Sequence, residues 1–323
     1  MYNISYKYKS VLILFIKLIL VFGAFYIISN KISNSEILKN AAFYNYLRSN
    51  ILNNYFILIS VFLFTVSNWL LEIKKWKSLV SSIKQITFYQ ASKQALSSLT
   101  ASLLTPNRIG EYGAKALYYP AQKRKKVMLL NFLGNFSQMN MTVFFGLLGI
   151  LFLGRKIPVQ IHFTFFQAYI IILILALILF YLFKKYWNIH LQKFVKSLQS
   201  IPVSIHVKNY IYSLLRYLIF SHQFYLLLII FGVDFSYFTL MSLIFVMYFI
   251  ASVIPGFVIF DWLIKGSVAV SLFGIYEINE IVILSIISIM WLLNFALPSI
   301  IGSYYVLTFD KAPLLLKENT IRT

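Results

Sequence analysis

Residues 51–72 read ILNNYFILISVFLFTVSNWLLE, an apolar run closed by a single acid. A helix rises 1.5 Å per residue, so about 20 residues cross about 30 Å of hydrocarbon. This run is long enough, and it is not alone. Further apolar runs lie near 10–29, 127–153, 164–183, 209–232, 237–254 and 279–307. An eighth, at about 256–274, is shorter and interrupted by glycine. Backbone groups in lipid must be satisfied within the protein, which leaves helices or closed barrels as spanning structures. Barrel strands are about 10 residues long and alternate in polarity. These runs do neither. The expectation is an all-α, polytopic transmembrane helical bundle with about seven or eight spans. No linker or break in composition divides it, so residues 1–323 are read as a single membrane domain.

The composition agrees. Of 323 residues, 60% are hydrophobic and 12% charged, with a mean hydropathy of +0.79. A soluble chain carries about twice that share of charge. The net charge of +20 comes from 29 Lys and Arg against 9 Asp and Glu. In a soluble protein that surplus would point to nucleic acid. Here the bases fall between the apolar runs, where they set topology and meet anionic headgroups, so no nucleic-acid partner is expected. There is no Cys, which excludes disulfides and thiolate metal sites. His162, His190, His206 and His222 are scattered, so no metal site is expected either. No metalloprotease, nucleophile-elbow or P-loop motif is present, and no cofactor is implied.

Loop charge predicts orientation. Segment 73–126 carries eleven bases, Lys75 and Lys115 among them, opposed by Glu111 alone. Segment 184–208 carries five lysines. Both are expected on the cytoplasmic side, together with the N-terminus, in a bacterial inner membrane. The apolar stretch behind Lys7 and Lys9 lacks a cleavage site and reads as a retained first span.

Two segments are neither loop nor ordinary span. Segment 86–126 is rich in Ser, Thr and Ala and is interrupted at Thr105-Pro106-Asn107. Segment 252–275 opens with Pro255-Gly256 and closes with Gly274. Interrupted apolar segments in matching places are the sequence pointer to a substrate site in transporters. A surface helix and a tight turn are the plainer alternative. In the first segment Pro106 can start a helix, and Arg108, Glu111 and Lys115 then share a face. Gly110 lies among them. In the second, Asp261 and Lys265 are again an acid and a base four residues apart.

Charge at membrane depth is costly and commonly functional. Glu111–Lys115 and Asp261–Lys265 would offset each other. Arg108 would remain to hold a phosphate, since its planar fork matches two oxygens. The alternative is that these groups reach the interface and anchor the protein. Asn131, Asn135 and Gln138 line one face of the span 127–153, and interhelical hydrogen bonding accounts for them. Arg216 stands about two turns into its span. It either pairs with an acid such as Glu72 or serves an anionic substrate.

The strings Asn68-Trp69-Leu70-Leu71-Glu72-Ile73-Lys74-Lys75-Trp76 and Thr105-Pro106-Asn107-Arg108-Ile109-Gly110-Glu111-Tyr112 resemble the transmembrane region of lysylphosphatidylglycerol synthases. That family includes stand-alone, flippase-like members, and the Arg216-Tyr217 and Lys265-Gly266-Ser267 strings look like its Bacteroidota-type variant. Pro106, Arg108, Gly110, Glu111 and Lys115 match the family's first signature. Pro255, Gly256 and Asp261 resemble the second, with Asp where Glu is usual and bulky residues in place of later glycines. The resemblance spans roughly 10–307. It implies that 86–126 and 252–275 are re-entrant or broken helices. It implies the membrane half alone, which moves a lipid and does not transfer an aminoacyl group. The expected function is translocation of a phospholipid or polyprenyl-phosphate-linked lipid, with membrane lipids as partners. Two other expectations stay open. One is an enzyme or accessory subunit of envelope glycolipid assembly, partnered by a glycosyltransferase. The other is a structural scaffold of a membrane complex.

Overall fold

In a computed structural model, the structure describes residues 55–103, 105, 108–153, 192, 194–254 and 261–309, together with Phe22, Tyr26 and Asn45. Apart from Phe22 and Tyr26, the expected spans at 10–29 and 164–183 lie outside the described residues, as do Pro106, Pro255 and Gly256. The described residues form helices joined by short turns, without a strand.

Eight helices carry the argument: α1 Tyr55–Val80, α2 Phe88–Ser102, α3 Ile109–Ala116, α4 Ala121–Leu153, α5 Val203–Ile230, α6 Tyr237–Val253, α7 Asp261–Gly274 and α8 Glu280–Leu307. Four of them, α1, α4, α5 and α8, are long and apolar enough to cross a membrane. Helix α6 is apolar but has only 17 residues.

Large apolar side chains stand exposed while a set of charged and amide side chains is buried beside the apolar cores. Phe56 is 86% exposed, Leu151 75% and Phe238 68%, whereas Asn68, Glu72, Lys75, Gln94, Glu111, Lys115, Asn131 and Gln223 are all buried. Exposed large apolar side chains with buried, mutually paired charges suit a membrane setting, because lipid offers hydrogen-bonding groups no partner.

Packing pairs α1 with α5, α4 with α6, and α2 with α8. Two apolar clusters result. One joins α5, α6, α7 and α8 and takes in Val61 of α1; the other joins the later half of α1 to α2 and the start of α4. Along α1, Thr65, Asn68 and Glu72 are buried between Val61 of the first cluster and Ile73 of the second. The polar interior is thus the seam between two apolar cores.

Helix α2 is built of small residues, and 11 of its 15 are buried. Thr87 caps it in a reciprocal capping box with Gln90. Ser92, Ser97, Ser98 and Ser102 return their hydroxyls to carbonyls three or four residues back, so burial leaves those groups satisfied. Small side chains allow close approach to α8, where Thr100 Oγ1 donates to Ser299 O at 2.9 Å. At Gly302 of α8 an added Cβ would run into the Leu96 carbonyl and the Thr100 hydroxyl.

Helix α8 contains a π-turn at Leu292–Ala296, closed by Leu297 N–H to Leu292 O. Two residues further on stands Pro298, which has no N–H to offer the Asn294 carbonyl four residues back. Trp69 of α1 supplies one, donating Nε1 to Asn294 O at 3.2 Å. The side chain of Asn294 joins three helices. It accepts from Asn68 Nδ2 at 2.8 Å and donates to Gln223 Oε1 at 3.1 Å. Gln223 in turn donates to Thr65 Oγ1 at 2.8 Å and to Val61 O at 3.0 Å.

Segment 86–126 holds two helices, α2 and α3, on either side of the Thr105 region, and the start of α4. Reading Pro106 as a helix start needs correction: α3 begins at Ile109. Arg108 caps it in the left-handed conformation, φ 59°, and Thr105 Oγ1 takes the Gly110 N–H at 2.8 Å. Reading 73–80 as loop also needs correction. Helix α1 continues through Lys74, Lys75 and Lys77 to Val80, because Ile73, Trp76, Leu79 and Val80 keep an apolar face packed.

Candidate functional site

Glu72 is the centre of a buried ion network. Arg216 Nη1 lies 2.6 Å from Glu72 Oε2, and its Nε donates to Asn68 Oδ1 at 2.9 Å. Lys75 Nζ sits 2.8 Å from the same carboxylate, an ion pair whose geometry is not that of a hydrogen bond. Lys115 Nζ is 4.0 Å from Glu72 Oε1. It donates to Glu111 Oε1 and to Asn131 Oδ1, each at 2.7 Å, and stands 4.4 Å from the centre of the Trp76 ring. Trp76 and Tyr119 both donate to Gln94 Oε1, at 2.8 and 3.0 Å. Tyr119 lies in the α3–α4 turn, and burial pushes its phenol up to about 12. Glu111 accepts a second cation, Arg108, at 3.4 Å.

A cavity of about 410 Å³ opens beside this network. Its polar wall includes Asn68 of α1, Arg108, Tyr112 of α3, Asn135 and Gln138 of α4, and Arg216 of α5. Facing them are Asp261, Trp262 and Lys265 of α7 and Asn294 and Phe295 of α8. Asn68, Asn135, Arg216 and Asn294 all lie at least twelve residues from either end of their helices. At 1.5 Å per residue that is about 20 Å, so the cavity stands near mid-height of all four long helices.

Both acid–base pairs read from the sequence form, Glu111–Lys115 at 2.7 Å and Asp261–Lys265 at 2.8 Å. They do not occupy equivalent places. The Asp261–Lys265 pair is at the cavity wall with side chains 31% and 26% exposed, whereas Glu111, Lys115 and Asn131 stand behind the wall, fully buried. Arg108, Arg216, Asp261 and Lys265 are therefore the charged groups a ligand can reach. Arg108 and Lys265 stand 157 positions apart in the chain and converge on one ring. Arg108 Cζ is 5.8 Å and Lys265 Nζ 5.6 Å from the centre of Phe295. Asn135 Nδ2 donates to Tyr112 Oη at 3.3 Å, and Gln138 Nε2 donates to Ser213 O at 3.4 Å, joining α4 to α3 and α5. Gly110 backs the site: an added Cβ would stand 2.5 Å from the Ala101 carbonyl.

Lys75 was not separable in sequence from the loop lysines around it. The signal was its spacing, three residues after Glu72 and one before Trp76. Phe295 and Trp262 carried no signal among so many aromatics.

Among the described residues, three acids (Glu72, Glu111, Asp261) face five bases (Lys75, Lys115, Arg108, Arg216, Lys265) across the network and the cavity wall, a surplus of two positive charges. Comparisons with protein-family models, with curated proteins and with solved structures find no match to this chain.

Proposed function

We propose that this chain is a flippase-like lipid translocase, which moves a phospholipid or a polyprenyl-phosphate-linked lipid across the membrane. The observation that carries the reading is the cavity. It is a cationic chamber at mid-height of four apolar helices, too far from either end for ordinary side-chain reach to water. Charge held there unbalanced costs several kcal/mol unless a counter-ion arrives with the substrate. An anionic headgroup is that counter-ion, while its acyl chains remain among the exposed apolar side chains outside.

In this reading Arg108, Arg216 and Lys265 hold the headgroup. Glu111, Lys115 and Glu72 fix the two arginines from behind. The left-handed Arg108 is a strained position of the kind that clusters at ligand sites. The same proposal takes the chain as a stand-alone relative of the lysylphosphatidylglycerol synthase membrane region. It crosses a bacterial inner membrane seven or eight times, with its N-terminus in the cytoplasm.

The test is reconstitution of the full chain in liposomes carrying headgroup-labelled phospholipid or undecaprenyl phosphate, with label on the outer leaflet destroyed chemically. Protein-dependent loss of the protected inner pool is expected for at least one lipid. Rates equal to empty liposomes for every lipid would sink the proposal.

A further inference from the structure

The charge count says more about the ligand than that it is an anion. We infer that the cavity is built for a phosphate dianion, a lipid phosphomonoester or diphosphate, in preference to a phosphodiester headgroup with a single charge. The inference rests on the reading of the cavity as a lipid-headgroup site.

The two surplus charges can be located. Glu72 is shared by Lys75 and Arg216, and Glu111 by Lys115 and Arg108. In each trio the lysine is fully buried, 2.7–2.8 Å from its carboxylate, and cannot reach the cavity. The arginine is the member at the cavity wall. The surplus therefore falls on Arg108 and Arg216. Arg108 holds Glu111 at 3.4 Å, and its buried Nε has no hydrogen-bond partner among the described residues. Arg216 commits Nε and Nη1 to Asn68 and Glu72, which leaves Nη2 for a ligand. The Asp261–Lys265 pair is neutral in sum but presents a third donor to the same space. The count is of the described residues; residues 104, 106–107 and 255–260, which adjoin the site in sequence, carry no titratable side chain.

A guanidinium binds a phosphate through two parallel N–H···O contacts. Two arginines and a lysine match the oxygens of a terminal phosphate or a diphosphate. A diester headgroup such as phosphatidylglycerol neutralises one charge and leaves the other. A zwitterionic headgroup neutralises neither. A lysylated headgroup, net cationic, is repelled. The ligand class therefore differs from the aminoacylated lipid that the sequence resemblance brings to mind.

The experiment compares phosphatidic acid with phosphatidylglycerol of the same acyl chains, bound to the purified full chain in detergent and read by native mass spectrometry. It is run at pH 7, where a phosphomonoester, with a second pKa of about 6, is mostly a dianion. Phosphatidic acid is expected to bind at least tenfold tighter, and Gln138→Glu, which adds one negative charge to the wall, to bring the ratio towards unity. Lys265→Met, at the partly exposed pair, is the second variant and is expected to act in the same direction. Equal binding of the two lipids by the wild type overturns the inference and leaves translocation standing. No retention of any lipid overturns both. Millimolar inorganic phosphate is the remaining arm: displacement of phosphatidic acid at comparable concentration would assign the site to a soluble phosphate and overturn the lipid assignment.

Discussion

Glu72 of α1 and Arg216 of α5 stand 144 positions apart in the chain and meet at 2.6 Å in the polar seam between the two apolar cores. The contact is asymmetric in its consequences. Glu72 is the carboxylate for three cations, whereas Arg216 is one of three cations on Glu72. Glu72→Gln leaves Lys75 and Arg216 without a counter-charge, and removing one partner of a buried pair costs about 3–5 kcal/mol. Arg216→Gln leaves Glu72 still paired with Lys75, so a smaller loss, about 1–3 kcal/mol, is expected. Thermal unfolding in detergent checks the order. An Arg216 variant less stable than the Glu72 variant would show that the arginine, and not the carboxylate, organises the seam.

The Asp261–Lys265 pair predicts the reverse balance between stability and function. Both side chains are about a quarter to a third exposed, and a pair in that setting contributes about 1 kcal/mol or less. Asp261→Asn and Lys265→Met should therefore unfold within a few degrees of wild type. They change the charge of the cavity in opposite directions, to three surplus positives and to one. Affinity for an anionic lipid should rise in the first and fall in the second. Retention of phosphatidic acid by the purified variants in detergent, read by native mass spectrometry, measures it. A parallel change in both variants would mean that the pair acts through folding alone.

Glycines separate close helix approach from open space. An added methyl at Gly302 meets the Leu96 carbonyl, and at Gly110 it meets the Ala101 carbonyl at 2.5 Å. Neither obstacle is the flexible end of a side chain. Gly302→Ala and Gly110→Ala should each lower stability by about 1–3 kcal/mol, the range for overpacking. Gly113 and Gly274 have nothing within 4 Å of the added atom. Alanine at Gly113, inside α3, should be neutral or gain about 0.5–1 kcal/mol from helix propensity. A fluorescence-detected thermal series across the four variants is the measurement. Equal losses at all four would refute the packing of α2 against α8.

Much of this arrangement was legible in one dimension. The apolar runs announced the long helices, since length and composition alone decide whether a helix can cross lipid. The spacing of Glu111 to Lys115 and of Asp261 to Lys265 announced both ion pairs, because positions four apart share a helix face. Arg216 could be suspected of reaching Glu72. What stayed hidden was depth. Lys75 and Lys115 look like the surrounding loop lysines, and only the packing of Trp76 and Asn131 around them shows that they are buried. Sequence spacing placed Arg108 on the helix with Glu111. It could not foresee the left-handed turn that sets Arg108 at the helix start, on the cavity wall.

The π-turn in α8 offers the most stringent test, because the Asn294 carbonyl within it links two residues in different helices. Pro298 has no N–H to offer that carbonyl, and Trp69 supplies one at 3.2 Å. Trp69→Phe keeps the ring and deletes the N–H, so a buried carbonyl loses its partner at a cost of about 1–3 kcal/mol. Pro298→Ala restores an N–H to the backbone and gives that carbonyl a donor inside α8. The indole contact then matters less. The two substitutions should therefore be non-additive: Trp69→Phe should cost about 1 kcal/mol less in the Pro298→Ala background than in the wild type. A double-mutant cycle of unfolding free energies in one detergent supplies the number. Strict additivity would mean that the indole contact acts independently of the missing proline N–H.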